Sequence, residues 1–378
     1  MQIQTLEKTL MNKCALCIPR PGGTSRMIQN GYVDALRHLG WKVYVGDPKT
    51  KLGCAQLIEK HGIGLIMTHS RYGMRQLPID TINANQVMVF VEALPFNTGE
   101  LTIDGPYELA HEDEADVVRA IESVVVHTRL EPHLWGNYMS AWGEQGVDLS
   151  HIPAAGNLIR ALPPTCTALT DVAMVANFAH RQGIMKQLIE PLFKRLDLLG
   201  HSYQAFGDDI WARAGLNYNG PLDDYSKLSH VYATARVCPN VHTEQQVGLQ
   251  AYVNERSFMI PLCGGVQVSD NPLVTRYLGP HCRIAYNVTD FMSQVVELVG
   301  DRPERFEQIR AGVEHVAHQH TYFNRLVDLF GIVGWDDQAT EVAEEGQRAA
   351  VRHCWEIDAR LSAEERGIPY EQNAIGAA

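Results

Sequence analysis

The stretch "VNERSFMIPLCGGVQVSDNP" (253–272) is the most informative part of this chain for its fold. An Arg-bearing amphipathic segment runs to a double glycine, Gly264-Gly265, and a β-branched run follows and stops at Asp270. This order predicts a helix, a tight turn and a strand. Units of this kind build parallel sheets, so the stretch predicts an α/β fold. It also raises the question of why Glu255 and Arg256 stand on a helix that leads to two glycines.

The same alternation of short apolar runs and helical patterns extends along most of the chain. Strands are predicted over 13–19, 42–46, 64–69, 86–94 and 123–128, and again over 171–177, 202–207, 236–241, 266–270 and 283–287. Buried strands separated by helices are typical of a parallel sheet covered on both faces. A Pro-rich passage between the two sets predicts an interdomain linker. We therefore predict two doubly wound, Rossmann-like domains over 11–160 and 170–330, and a helical extension with a loose tail over 331–378.

Composition places limits on function. The 378 residues carry a net charge of −12, which argues against a protein held on nucleic acid by bulk charge, although a local basic groove stays possible. The eight cysteines are scattered and several lie in apolar runs, which predicts reduced thiols in the cytoplasm. No second pair follows Cys14-x-x-Cys17, so we predict no metal site. The sequence has neither a signal-like segment nor a long apolar run, which predicts no export and no membrane span.

Ligands of open parallel sheets gather at the carboxyl ends of the strands. After the first predicted strand, two glycines stand between Arg20 and Arg26, which suits either an anion site or a plain tight turn. Glu92 ends the fourth strand and is either a surface turn residue or a general base. The third and fifth strands end at His69 and His127, each followed two residues later by an arginine.

The second half offers a similar set of strand ends. Arg181 lies in the first turn of a predicted helix, where the helix dipole disfavours a cation and a bound phosphate would favour one; a solvated arginine is the alternative. An aspartate pair, Asp208-Asp209, follows Gly207 and suits helix capping better than metal binding. Glu255 and Arg256 form either a surface ion pair or part of a site for a diphosphate and a ribose.

These motifs resemble those of a known family. The segment "NVHTEQQVGLQAYVNERSFMIPLCGGVQVSDNP" (240–272) resembles the donor-site segment of GT-B glycosyltransferases of the CgeB-like spore-maturation group, and "HTYFNRLVDLF" (320–330) is similar to a closing segment of that group. A fainter resemblance, to the DNA β-glucosyltransferases of T-even phages, rests on "VFVEALPF" with Glu92, "VANFAHRQG" with Arg181 and "NERSF" with Arg256. In that comparison the ribose-binding glutamate of the phage enzymes falls on Met259.

The resemblance implies a GT-B fold with an interdomain cleft, a nucleotide-sugar donor, most simply a UDP-sugar, and no required cofactor or metal. It implies that the donor is bound by Gly22, Gly23, Asn177, Arg181, Gly207, Asn240, His242, Glu255, Arg256, Gly264 and Gly265. It implies that the acceptor is bound by Arg20, Arg26, Arg71 and Arg129. Glu92 is the implied general base of an inverting transfer, with His69 beside it, and partial burial is expected to raise the pKa of Glu92.

The acceptor stays open at this stage. The phage resemblance implies a hydroxymethylated base in DNA, while a glycan, a coat component or a small metabolite are the alternatives. A nucleotide-sugar epimerase and a non-catalytic sugar-nucleotide binding module are further interpretations of the same fold. The oligomeric state is not predicted.

Overall fold

The computed structural model describes residues 13–19, 23–71, 73–94, 112–161, 168–222 and 224–367, without the side chains of 23–26 and of His180. The chain divides into two compact units. Unit 1 comprises Met1–Pro153 and Tyr322–Glu345, and unit 2 comprises Ala154–Thr321 and Gly346–Ala378. Each unit is built on a parallel sheet with helices, which confirms the predicted α/β class with two Rossmann-like domains.

In the described part of unit 1, six parallel strands form a sheet in the order β2-β1-β3-β4-β5-β6. The strands are β1 (Cys14–Cys17), β2 (Lys42–Val45), β3 (Leu65–His69), β4 (Met88–Glu92), β5 (Val124–Thr128) and β6 (Leu149–His151). Strands β3 and β4 are buried along their whole length, because their sequences LIMTH and MVFVE are nearly unbroken apolar runs. The sequence does not predict β6, since its three residues are too few to form a pattern.

Helices of unit 1 follow most of these strands. They span Gly23–His38, Lys51–His61, Ile79–Ala84, Glu112–Ala120, Trp135–Tyr138, Ser140–Glu144 and Tyr322–Ile332, with 3-10 turns at Met74–Gln76 and Pro132–Leu134. A long helix, Asp336–Glu365, has its first ten residues in unit 1 and the rest in unit 2.

The division of the chain differs from the predicted boundary at residue 330, because Tyr322–Glu345 groups with unit 1. The ring of Tyr322 lies edge-on to that of Tyr32, with 4.8 Å between the ring centroids. The same ring covers Gly31, where a Cβ atom would stand only 2.0 Å from it. The chain therefore returns to unit 1 at Tyr322, whose ring packs on Gly31, 291 positions earlier in the sequence.

In the described part of unit 2, five parallel strands form a sheet in the order β11-β10-β9-β7-β8. The strands are β7 (Thr170–Val175), β8 (Tyr203–Phe206), β9 (Ala235–Asn240), β10 (Gln267–Ser269) and β11 (Arg283–Ile284). Its helices span Gln182–Ile184, Glu190–Leu199, Ile210–Arg213, Tyr225–Thr234, Glu244–Gly248, Arg256–Leu262, Val274–Leu278, Val288–Gly300 and Arg302–Gln319, with 3-10 turns at Ala179–Arg181 and Gly279–His281 and a π-helical turn at Met185–Ile189. The predicted helix–turn–strand of 253–272 is present as the helix Arg256–Leu262 followed by β10.

The core of unit 2 is apolar and surrounds this sheet. Val172, Val237 and Val268, one from each of three strands, are fully buried among the side chains of the covering helices. None of the helices in the described residues is both long and apolar enough to cross a membrane. The cysteines of the described residues are free thiols and, apart from Cys354, buried.

Candidate functional site

The carboxyl edge of the unit 2 sheet brings together most of the donor-binding residues predicted from the sequence. The strands are parallel, so the loops after β7, β8, β9 and β10 all leave the sheet at one edge. Asn177 and Arg181 follow β7, Gly207 follows β8, and His242 follows β9, whose last residue is Asn240. Polar side chains at this edge are the ones a ligand of such a sheet would meet.

Arg256 begins the helix Arg256–Leu262 and reaches back to this edge. Its Nη2 donates to the carbonyl oxygen of Val241 at 2.6 Å, and its Nη1 donates to the carbonyl oxygen of Val175. Burial lowers the pKa of Arg256, which Tyr232 and Asp270 oppose. A half-buried cation in the first turn of a helix is placed against the helix dipole, so a negative group beside it would be stabilising.

Arg181 shares the same carbonyl group. Its Nε donates to the carbonyl oxygen of Val241 at 3.2 Å, and its Nη1 donates to that of Asn177 at 3.3 Å. Burial and the nearby charge of Arg256 lower the pKa of Arg181 to about 9. Across the described part of the chain, neither guanidinium forms an ion pair with a carboxylate. Two arginines thus meet at one carbonyl, and among the described residues no carboxylate is in ion-pair contact with either, an arrangement that an anionic ligand would stabilise.

His242 stands directly after Val241 and is fixed by Asp270, the residue that follows β10. The Asp270 carboxylate accepts from His242 twice, from the ring Nδ1 at 2.8 Å and from the backbone N–H at 3.0 Å. Burial lowers the pKa of His242; Asp270 opposes this, and Arg256 adds to it. Asp270 was not predicted as a site residue, although its position at the end of the run "VQVSD" was a sufficient signal.

Asn240 belongs to a buried network under this edge. Its Nδ2 donates to Ser257 Oγ and to Gln267 Oε1, both at 2.8 Å, and its Oδ1 accepts from Asn254 Nδ2 at 3.0 Å. The residue is fully buried, so a ligand could bond to Asn240 only by replacing one of these partners. The network ties the end of β9 to the start of the helix that carries Arg256.

The remaining predicted donor residues of unit 2 lie elsewhere or are engaged. The carboxylate of Glu255 is buried and accepts from the hydroxyl of Tyr225 at 2.7 Å. Gly264 and Gly265 precede β10, so they lie at the amino edge of the sheet, opposite the arginines. A Cβ atom on Gly265 would stand 2.8 Å from the carbonyl oxygen of Tyr232. The glycines therefore serve the turn and its close packing, and we remove both from the donor site.

Gly207 and Asp208 complete the edge. Gly207 has a φ of +146°, and a Cβ atom there would stand 2.0 Å from the carbonyl oxygen of Ala176. Only glycine fits this approach of the β8 loop to the β7 loop. Asp208 Oδ2 accepts from the backbone N–H of Ala179 at 2.9 Å, so it caps the short turn that carries Arg181. Asp209 begins the next helix without a side-chain capping bond.

The carboxyl edge of the unit 1 sheet carries the predicted catalytic pair. His69, Glu92 and His127 are direct neighbours in register on β3, β4 and β5. Glu92 Oε1 accepts from Arg129 Nε at 2.5 Å, and Glu92 Oε2 lies 3.3 Å from His69 Nε2. These groups form a compact, nearly closed charge cluster, since Glu92 is only 6% exposed.

The pKa of Glu92 corrects the expectation from the sequence. Burial alone would raise the pKa, as expected, but the positive charge of Arg129, together with His69 and His127, lowers it to about 2. Burial lowers the pKa of His127 to about 4, against the opposing effect of Glu92. In this state Glu92 is a carboxylate held ionised by Arg129, and Arg129 is bonded within the protein.

Five further residues predicted in the first half lie outside this charge cluster or outside the described residues. Arg20 and Gly22 lie outside the described residues, as does the side chain of Arg26. Gly23 begins the first described helix. Arg71 follows β3 and is partly exposed, close in sequence to His69. Among the described residues, no three His, Cys, Asp or Glu side chains group as metal ligands.

Comparisons with known proteins agree with this architecture. Residues 181–331 match a family described as "Glycosyl transferase-like". An α-glucosyltransferase in complex with UDP-glucose and DNA containing an abasic site superposes with a TM-score of 0.59 at 9% identity, over 85% of this chain and 98% of that one. The chain has the GT-B fold. Arg181 and Arg256 both lie within the segment that this family matches.

Other solved structures share this fold. The α-glucosyltransferase in complex with UDP has a TM-score of 0.59 at 10% identity, over 85% of this chain and 99% of that one. The BGT of phage T4 in complex with its UDP-glucose substrate has a TM-score of 0.50 at 9% identity, over 89% of this chain and 99% of that one. No curated protein matches the sequence. Membership of the CgeB-like group stays a prediction.

Proposed function

We propose that the protein transfers a sugar from a UDP-sugar to an acceptor hydroxyl, and that Arg181 and Arg256 bind the diphosphate. The observation that carries the proposal is the pair of guanidiniums that meet at the carbonyl of Val241 without a carboxylate partner. A diphosphate bound at this point would offset the repulsion between the two arginines. The structural neighbours support UDP as the nucleotide, because they are described with UDP or UDP-glucose bound.

The same arginines suit the chemistry of transfer. Negative charge develops on the diphosphate as the bond to the sugar breaks, and preorganised cations in a partly dry site stabilise that charge. Arg181 and Arg256 are fixed by backbone carbonyls before a ligand arrives, so little reorganisation is needed. We assign the stabilisation of the leaving group to these two residues.

On the acceptor side, we propose that Glu92 is the base of an inverting transfer and that Arg129 controls it. A carboxylate with a pKa of about 2 is a weak proton acceptor. An anionic group of the acceptor would draw the Arg129 guanidinium away, and burial would then raise the pKa of Glu92. The residue would become basic only when the acceptor is bound, which reconciles the two roles predicted for Glu92 and Arg129.

A hydroxymethylated base in DNA is the acceptor we propose to test first. It would supply phosphates for Arg129 and Arg71, and one structural neighbour is described with DNA and UDP-glucose together. The net charge of −12 opposes binding by bulk charge, so recognition would depend on a local patch. A glycan, a coat component or a small metabolite is the alternative acceptor.

The test is a donor panel of UDP-, GDP- and TDP-sugars, offered with hydroxymethylated duplex DNA, plain DNA and simple glycan acceptors, and analysed by mass spectrometry. We expect a mass gain of one sugar with a UDP-sugar only. UDP binding without any transfer would instead support a sugar-nucleotide binding module. Absence of UDP binding, measured by calorimetry, would overturn the proposed donor site. The anomeric configuration of a product, determined by NMR, decides between inversion and retention.

A further inference from the structure

Among the described residues, one buried carboxylate oxygen at the edge of the unit 2 sheet has no hydrogen-bond partner. Asp208 Oδ2 accepts a hydrogen bond from Ala179, whereas Asp208 Oδ1 is buried and has no hydrogen-bond partner among the described residues. A buried acceptor without a donor destabilises the folded protein, and it does so more strongly when it is charged. Native proteins tolerate such groups mostly where a ligand or a bound water completes the bond.

The position of Asp208 is closely controlled by its neighbours. It follows Gly207, whose left-handed backbone allows the β8 loop to touch the carbonyl of Ala176. The hydroxyl of Tyr218 donates to the carbonyl oxygen of Gly207 at 3.1 Å and holds the loop from the other side. Because Oδ2 is bound to the turn Ala179–Arg181, the carboxylate stands beside Arg181.

The charge of Asp208 indicates what kind of group can face it. Burial and Arg256 lower the pKa of Arg181, while Asp208 is among the negative groups that oppose this shift. A phosphate oxygen in front of Oδ1 would be repelled, so the ligand group there has to be a hydrogen-bond donor. In a nucleotide sugar the neutral donors next to the diphosphate are hydroxyl groups, on the ribose at one end and on the transferred sugar at the other.

We propose that Asp208 is a specificity residue whose Oδ1 accepts a hydrogen bond from a hydroxyl group of the nucleotide sugar held by Arg181 and Arg256. The proposal rests on the proposed function, because it needs the diphosphate at the two arginines. Asp208 selects hydroxylated ligands over otherwise identical ligands that lack one hydroxyl. The ribose and the transferred sugar are the two sources of that hydroxyl.

Asp209 is a matched control, since it carries the same charge one residue later. Its side chain is 66% exposed and forms an ion pair with Arg213, one helical turn away. Asp209→Ala removes the same functional group and a similar charge from the region without touching a buried oxygen. We expect it to leave ligand affinity unchanged within about twofold, as for most surface substitutions.

The experiment measures the dissociation constants of UDP-glucose and of analogues that each lack one hydroxyl, at the ribose 2′ or 3′ position or on the glucose. Wild-type protein, Asp208→Ala, Asp208→Asn and Asp209→Ala are compared by calorimetry. The Asn variant protects the result against loss of fold, because its amide oxygen can still accept from Ala179 while its NH2 group faces the ligand. In the wild type, removal of the recognised hydroxyl should weaken binding about 10- to 100-fold.

The expected pattern is a coupled one. Both Asp208 variants should bind UDP-glucose about as weakly as the wild type binds the critical deoxy analogue, and should no longer distinguish the two ligands. If the ribose deoxy analogue is the one that binds weakly, Asp208 Oδ1 faces the nucleoside. If a glucose deoxy analogue is the one that binds weakly, Oδ1 faces the transferred sugar. Equal affinity of the wild type for all analogues would overturn the role of Asp208 while leaving the diphosphate site intact. Failure of the wild type to bind UDP-glucose and UDP at all would overturn the proposed function, and the role of Asp208 with it.

Discussion

Neutralising Arg256 is the most direct test of the donor site. Arg256→Gln keeps a polar side chain and removes the positive charge next to Arg181. A hydrogen bond to a charged group contributes about 1.5–3 kcal/mol. The variant should therefore bind UDP about 10- to 100-fold more weakly, since each 1.4 kcal/mol is about tenfold in affinity.

The stability of the free protein should change in a smaller and opposed way. Arg256 bonds to two carbonyl oxygens, those of Val175 and Val241, and a glutamine is too short to satisfy both. Each lost bond costs about 1 kcal/mol. Relief of the repulsion on Arg181 acts in the other direction. We expect the unfolding free energy to fall by about 1–2 kcal/mol, which lowers the melting temperature by about 2–8 °C for a unit of this size.

The assay combines calorimetry of UDP binding with thermal melting at increasing UDP concentration. Ligand at a hundred times its dissociation constant stabilises a protein by about 2.7 kcal/mol, so the wild type should gain about 5–10 °C. At the same UDP concentration Arg256→Gln should gain much less. A small UDP-induced rise in melting temperature together with weak UDP binding would show that Arg256→Gln impairs the ligand site. The effect of the substitution on the stability of the free protein is measured separately, in the melt without UDP.

Arg236→Gln is the matched control for charge. Arg236 lies near the amino end of β9, opposite the candidate site, and its Nη1 pairs with Asp171 Oδ1 at 2.8 Å. This variant removes the same charge from the same sheet and should bind UDP within about twofold of the wild type. The reasoning is refuted if Arg256→Gln binds UDP as tightly as Arg236→Gln does. The arginine pair would then be a structural feature of the loops alone.

Two further predictions follow from the geometry. In the wild type the ionised Glu92 contributes about 3 kcal/mol to the unfolding free energy above pH 4.5, because its pKa is about 2 in the folded state, and this stability is lost as the pH falls toward 2. Arg129→Met should weaken or reverse that loss when urea unfolding is measured between pH 3 and 6. Parallel pH profiles of the two proteins would contradict the pairing of Arg129 with Glu92. Gly207→Ala should destabilise the protein by more than about 2 kcal/mol. The positive φ alone costs an alanine about 1–2 kcal/mol, and the new Cβ atom would also clash with the carbonyl oxygen of Ala176. Gly200→Ala, with positive φ and open space around it, is the control in thermal unfolding, and equal losses would argue against the clash.

Most strand positions could be predicted because the signal is local. Runs such as "GLIMTH" and "QVMVFVEAL" are apolar over four or more residues, and that pattern has few structural solutions in an α/β chain. The three-residue β6 and the return of Tyr322 to unit 1 depend on tertiary contacts instead. Nothing in the segment around Tyr322 indicates that its ring would cover a glycine near residue 31.

The double glycine shows an error that the topology itself could have prevented. A helix that follows a parallel strand runs back along the sheet, so its first residue lies at the carboxyl edge and its last residue at the amino edge. Arg256 and Gly264 stand at opposite ends of one such helix and cannot both line the same ligand. Arg256 stands at the start of this helix because from there its side chain reaches the carboxyl ends of the strands. The two glycines at the other end of the helix belong to the turn into β10.

The electrostatics of Glu92 were less accessible from the sequence. Burial was predicted correctly, and burial alone favours the neutral acid. The outcome depends on Arg129, which lies 37 positions away and meets Glu92 through the pairing of neighbouring strands. A change of partner distance by a few ångströms changes the sign of the pKa shift, and no sequence pattern fixes such a distance.

The way the two arginines are anchored connects the fold to the proposed chemistry. A guanidinium has five N–H donors. Arg181 gives two of them to the carbonyls of Val241 and Asn177, and Arg256 gives two to those of Val241 and Val175, so each retains three. A carboxylate partner would orient these side chains equally well, but it would cancel their charge. Carbonyl groups at the ends of β7 and β9 fix the direction of the arginines and leave both the charge and the remaining donors available to a diphosphate.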